Sequence, residues 1–146
     1  MRKTGWRKRD AGSAMVEFTF SAFFMLVAML TLMELCNAVY TYVVLSEAAN
    51  EGMRYAIVHS TDAGFTTNVK NKVWTYAGNA FTISAPSSNV TVTVNCPDSG
   101  GTCPGSIPGR VQITASYPYV PFIGVISRLG GSSPTMTAYA ESRFVY

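Results

Sequence analysis

Histidine is nearly absent from this chain: the 146 residues contain one, His59, with three cysteines and only 13% charged side chains. A Ser–His–acid triad would depend on that single imidazole, and no G-x-S-x-G nucleophile motif occurs. A zinc site needs more His and Cys than the chain holds. Gly100-Gly101 and Gly130-Gly131 lack the Lys-Ser/Thr sequel of a phosphate-cradling loop. Away from the helices read below, the carboxylates are Asp62, Asp98 and Glu141, widely separated in sequence. So thin a polar inventory points to a non-enzyme with no cofactor and no metal, and His59 reads as a solvated or capping residue.

Basic charge is scarce as well once its position is considered. The net charge is +3, but Arg2, Lys3, Arg7, Lys8 and Arg9 against Asp10 put +4 into the first twelve residues, leaving −1 for the rest. Nucleic-acid binding needs basic residues spread over a folded face, so no nucleic-acid partner is expected. The length allows one modest domain plus an appendage, not a two-domain enzyme. An apolar fraction of 48% and a mean hydropathy of +0.18 exclude a disordered chain.

What is present begins with an uncharged run, Phe18 to Met33, interrupted only by Thr19, Ser21 and Thr31. Sixteen helical residues rise about 24 Å, short of the ~30 Å hydrocarbon core. Extension past Glu34 and Asn37 makes the span adequate if those two lie near an interface. Trp6 before the run, and Tyr40 and Tyr42 after it, stand where an aromatic belt would. Basic residues crowd the N-terminal side and are absent between Met33 and Gly52. That asymmetry places the N-terminus in the cytoplasm and the remainder outside the inner membrane. A cleaved signal peptide is the alternative, with Cys36-Asn37-Ala38 as a weak cleavage site. Glu34 directly before it and the length of the run argue against that, and Met33-Glu34-Leu35 suits a lipoprotein signal still less.

Helical spacing continues. Ala38, Tyr42, Leu45, Ala49, Met53 and Ala56 form one stripe, with Glu47, Asn50, Glu51 and Arg54 off it and Glu51–Arg54 a favourable i,i+3 pair. Residues 13–58 therefore read as one helix on the order of 70 Å long, its membrane part about 18–40. A break at Ser60 to Gly64 offers Thr61 or Asp62 as a cap for a second helix. That helix carries Phe65, Val69, Val73 and Tyr76 as its stripe and Gly78-Asn79 as its stop. The period then changes to two: Phe81–Ser84, Asn89–Asn95, Arg110–Tyr117 and, more loosely, Thr135–Val145 alternate as half-buried strands do. The expected fold class is α+β: a long N-terminal transmembrane helix continuing into a small extracytoplasmic domain of a helix on a short antiparallel sheet. Its organisation is a basic leader (1–12), a long helix (13–58) and the outer domain (59–146). Val120, Phe122, Ile123, Val125 and Ile126 make an apolar patch in a Gly- and Pro-rich loop, either core or interface.

Cys96 and Cys103 bracket a turn-rich loop after a strand. Outside the cytoplasm oxidation is favoured, and closing that loop would stabilise by roughly 2–3 kcal/mol. Three cysteines allow three pairings; Cys36, in the helix, is the odd one out, and two buried thiols are the alternative.

The sharpest signal is Ala11-Gly12-Ser13-Ala14-Met15-Val16-Glu17-Phe18. A carboxylate inside an apolar helix costs up to a few kcal/mol, so Glu17 calls for a partner or snorkels to the headgroups. This arrangement resembles the type IV prepilin cleavage motif, and more narrowly the TadE-like pseudopilins of tight-adherence (Flp) pilus systems. Glu47-Ala-Ala-Asn-Glu-Gly-Met-Arg-Tyr-Ala56 is similar to an alanine-rich stretch of those proteins, and Tyr117–Phe122 and Thr137–Arg143 to their C-terminal part. The resemblance implies a minor pilin or pseudopilin cut by a prepilin peptidase after Gly12, leaving Ser13 as the new N-terminus. Ser13 stands where many type IV pilins have Phe, which suits the Flp-like branch. It implies that Glu17 pairs with the α-ammonium of a neighbouring subunit during assembly. The implied partners are other pilin or pseudopilin subunits, an inner-membrane assembly platform and membrane lipid, in the service of surface attachment. Two other classes compete: an unprocessed single-pass anchored binding domain, which tolerates changes at Gly12 and Glu17, and a small secreted protein starting near Val39.

Overall fold

The computed structural model describes residues 7–60, 62–80, 89–100, 103, 109–121 and 134–143. The architecture is α+β, with α1 (Arg7–Val58), α2 (Phe65–Ala80), β1 (Thr91–Asn95), β2 (Arg110–Pro118) and β3 (Thr135–Arg143) in chain order. The chain divides into two units, Met1–Asn37 and Ala38–Tyr146.

The first unit holds the apolar part of α1. Residues 7–12 are helical as well as the stretch from Ser13 onward. Arg, Lys and Ala are good helix formers, and a single glycine costs only about 1 kcal/mol, so nothing in residues 7–12 stops the helix. Phe18, Phe20, Met25, Met29 and Met33 are each more than 60% exposed. An 18-residue stretch has a mean hydropathy of 2.0 with 6% of it buried, so this helix is long and apolar enough to cross a membrane. Its hydroxyls are satisfied within the helix: Thr19 Oγ1 donates to Met15 O and Thr31 Oγ1 to Val27 O, each at 2.8 Å. A helix in lipid requires that internal satisfaction. Glu34, expected near an interface, is buried and partnered.

The second unit is built on one core. The stripe of α1 lies at Leu45, Ala48, Ala49, Met53 and Ala56, all buried, with Thr41 and Val44 buried as well. Tyr42, expected on that stripe, is 52% exposed; the buried positions 41, 44, 45 and 48 centre the face one residue to its side. Glu51 and Arg54 are exposed and form the expected pair at 4.0 Å. Gly52 is buried, and a Cβ there would overlap the Val73 side chain of α2. This glycine therefore permits close approach of the two helices.

In α2 the buried face is Phe65, Val69, Val73 and Ala77. Tyr76 is half-exposed, because a strict four-residue repeat carries the face to position 77. The helix also passes through Gly78-Asn79 and ends at Ala80, where the Tyr40 hydroxyl donates to the Ala80 carbonyl at 3.1 Å. That bond satisfies one of the carbonyls a helix end leaves open. Trp74 Nε1 donates to Val90 O at 2.8 Å and fixes α2 against the entry to β1.

The sheet is antiparallel in the order β1-β2-β3. Its register pairs Thr93 with Thr114, and Thr114 in turn with Tyr139. Strand alternation sends Val92, Val111, Ile113, Ala115, Ala138 and Ala140 into the core. The opposite positions form a polar face: Thr91, Thr93 and Asn95; Arg110, Gln112, Thr114 and Ser116; Thr137, Tyr139 and Glu141. Tyr119, just after β2, is buried, and its N–H donates to Pro134 O at 2.9 Å, while Val120 is exposed. Phe122, Ile123, Val125 and Ile126 of the apolar patch, the candidate strand at Phe81–Ser84 and the candidate cap Thr61 lie outside the described residues.

Candidate functional site

Gly12, Ser13, Val16, Glu17, Phe20 and Ser21 line one shallow depression along α1. Positions four apart in a helix lie over one another on the same face, so the candidate cleavage junction and the Glu17 carboxylate share one face, a turn apart. All six are exposed. A Cβ at Gly12 would meet nothing within 4 Å, and its φ is not positive. Neither space nor backbone conformation requires glycine there, although glycine weakens a helix interior. On the same stretch Phe24 meets Phe20 and Phe23 edge to face, with ring centroids 4.9 and 6.1 Å apart. Phe20, Phe23 and Phe24 are all exposed.

Cys96 and Cys103 form a disulfide with their Cα atoms 5.1 Å apart. Cys36 is free and exposed on α1. The loop opens with a 3-10 turn at Pro97–Ser99, closed by Gly100 at φ 72°, a left-handed conformation that glycine adopts without strain. Ser99 N donates to Cys96 O at 3.0 Å.

His59 stacks on Tyr55 at 4.1 Å between ring centroids, and its backbone N–H donates to Tyr55 O at 3.0 Å. It finishes α1 as a capping residue does. Lys72 Nζ stands 5.6 Å from the centre of the same tyrosine ring. Among the described residues, no three His, Cys, Asp or Glu side chains converge as metal ligands.

A second constellation was not legible in the sequence. On the outer face of the sheet, Arg110 reaches Asp98 at 3.2 Å and Glu141 at 3.6 Å. Gln112 Nε2 donates to Glu141 Oε2 at 3.3 Å, and the Tyr139 hydroxyl donates to the same oxygen. The bond from Tyr139, with help from Gln112 and Arg110, holds the Glu141 carboxyl below its ordinary range and pushes the Tyr139 phenol up. Hydrogen bonding and charge from Asp98 raise Arg110. Burial alone raises Tyr117, on the opposite face of the sheet. Asp98 and Glu141, distant in sequence, thus meet on one guanidinium. Period-two alternation puts Gln112 and Glu141 on outward faces, but only the strand register, Gln112 opposite Glu141, brings them together.

Comparison with known proteins gives a match to the TadE-like protein family over residues 12–54. The matched segment starts at Gly12 and covers the apolar helix and its alanine-rich continuation through Arg54. No curated protein and no solved structure matches the chain.

Proposed function

We propose that this chain is a minor pilin or pseudopilin of a tight-adherence pilus, processed by a prepilin peptidase between Gly12 and Ser13 and acting without catalysis of its own. The observation that carries the reading is the family match over residues 12–54, on a helix whose apolar surface is exposed. In the membrane, lipid covers that surface; in a filament, the helices of neighbouring subunits replace it. The transfer is feasible because helix packing in lipid gains from van der Waals contact rather than from water exclusion.

Cleavage after Gly12 would make Ser13 the first residue of the helix and place a positive α-ammonium there. A carboxylate near a helix N-terminus is favoured by the exposed N–H groups, and Glu17 sits one turn in. Its exposure leaves it accessible to the ammonium of a neighbouring subunit. The other partners are the assembly platform in the inner membrane and the surrounding lipid. The leader's basic residues support a cytoplasmic N-terminus, and the Cys96–Cys103 disulfide supports an oxidising compartment for the second unit.

Gly12→Leu in the native host tests the reading. Because the site is sterically open, the variant should fold, keep its leader and fail to support pilus assembly. Glu17→Ala should be cleaved normally yet leave pili absent or sparse. Normal cleavage and piliation in both variants would contradict the proposal; a leader retained in wild type and variants alike would favour an anchored domain that is never processed.

A further inference from the structure

The outer face of the sheet is chemically uniform in a way that neither membrane anchoring nor processing uses. Where all three strands run side by side, three cross-strand rows cover it: Thr91–Ser116–Thr137, Thr93–Thr114–Tyr139 and Asn95–Gln112–Glu141. Apart from Tyr139 and Glu141, every side chain in these rows is a neutral hydroxyl or amide. At the border Arg110 is held by Asp98 and Glu141, and Arg143, opposite Arg110 in the register, is exposed at the end of β3. Tyr139 is the large exposed hydrophobic residue of these rows, at 55% exposure.

The pose of Tyr139 is specific. Its hydroxyl reaches Glu141, two residues along the same strand and on the same face, so the ring leans along the strand and does not stand upright into solvent. Glu141 is itself held by Gln112 and Arg110, and Arg110 by Asp98. A chain of four polar groups therefore fixes one aromatic plate over the sheet, flanked by Thr114 and Thr137. Holding such a ring in place before binding removes an ordering cost from any ligand that stacks on it.

We propose that this face binds a neutral polyhydroxylated glycan, with the Tyr139 ring as the stacking platform and the threonine, serine and amide rows as hydrogen-bond partners. The apolar C–H face of a sugar ring suits the electron-rich face of an aromatic ring. The ligand's hydroxyls both donate and accept, and so do the threonine, serine and amide side chains beneath them. A polyanion is disfavoured because Arg110 and Arg143 are matched in number by Asp98 and Glu141, which leaves this face no net positive charge. A protein partner is disfavoured by size. Strands about 4.8 Å apart, over about five residues at 3.4 Å each, give a common face of roughly 200–250 Å², against about 800 Å² per partner in a stable interface. The inference deepens the proposed role in surface attachment and rests on that reading only in needing the sheet outside the cell.

The test uses the full chain in phosphatidylcholine nanodiscs, which avoids sugar-headed detergents. Binding is measured by calorimetry to cellohexaose, laminarihexaose, mannohexaose and chitohexaose, with alginate and oligo-dT as polyanionic controls. Saturable binding of at least one neutral oligosaccharide is expected, with an affinity unchanged by salt. Tyr139→Ala should weaken it by about tenfold or more, and Tyr139→Phe, which keeps the ring but frees it, by less. Thr137→Glu, at an exposed position, should also abolish binding, and it carries the test if Tyr139→Ala loses its fold by circular dichroism. No binding across the panel, or equal binding by wild type and both disruptive variants, would overturn the inference. Salt-sensitive binding of the polyanions alone, or Tyr139-dependent pairing of two copies in sedimentation, would overturn it too. A chain that is cleaved and piliated yet binds no glycan sinks only this inference; one that binds but retains its leader sinks only the pilus reading.

Discussion

Gly52→Ala adds one methyl group to the interior of α1, where helix propensity alone would make the change stabilising by about 1 kcal/mol. The packing opposes it. The new Cβ would overlap Val73 Cγ2 and stand 3.5 Å from Ile113 Cδ1 and 3.8 Å from Val69 Cγ1. Val73 is fully buried, and a β-branched side chain in a helix has essentially one rotamer, so it cannot swing aside. Overpacking of this kind costs about 1–3 kcal/mol. Set against the propensity gain, the net effect is a destabilisation of about 1 kcal/mol, or a fall in Tm of about 3–5 °C. Thermal unfolding of the full chain in nanodiscs, followed by Trp74 fluorescence in a Trp6→Phe background, would measure it. Val73→Ala alone should cost about 2 kcal/mol. In the double variant the two changes should compensate, with a coupling of about 1 kcal/mol, because one methyl occupies space the other vacates. A rise in Tm for Gly52→Ala, or strict additivity in the cycle, would refute the close approach of α1 and α2.

Reducing the Cys96–Cys103 disulfide, or replacing both residues by serine, should destabilise the second unit by about 2–3 kcal/mol; an unchanged melting curve would show that the cross-link contributes nothing. The Glu141–Tyr139 pair should also make stability pH-dependent. Glu141 lies below the ordinary 4.5 because the Tyr139 hydroxyl donates to it, so its contribution is complete above 4.5 and is lost as pH falls through the lowered value. Tyr139 lies above 10.0 through the same bond; its contribution is complete below 10.0 and is lost as pH rises through the raised value. In Tyr139→Phe the carboxyl resonance of Glu141 should titrate at higher pH than in wild type, and equal midpoints would remove the pair from the account.

Period, more than composition, made the fold readable. Strict alternation at Asn89–Asn95 and Arg110–Tyr117 marked two strands, since every second side chain must enter one core. The spacing of Leu45, Ala49, Met53 and Ala56 marked the packed face of α1 for the equivalent helical reason. Tyr76 falls off the buried face of α2 because three- and four-residue steps both fit a helix, and only packing selects Ala77. Gly78-Asn79 reads as a stop, yet α2 runs on to Ala80, whose carbonyl accepts from the Tyr40 hydroxyl. The role of Gly52 was invisible, because a close approach belongs to two helices at once. The outer-face network of Asp98, Arg110, Glu141 and Tyr139 depends on strand register, which alternation alone does not specify. Gly12 and Glu17 stand out for a different reason: a glycine and a carboxylate inside an apolar helix cost stability, and no packing among the described residues accounts for them.

The mature N-terminus of the protein, determined by mass spectrometry on membrane and sheared-surface fractions of the native host, tests the central claim most directly. A chain beginning at Ser13 is expected in both fractions. An intact Met1 confined to the membrane, or a terminus near Val39 in the medium, would contradict it.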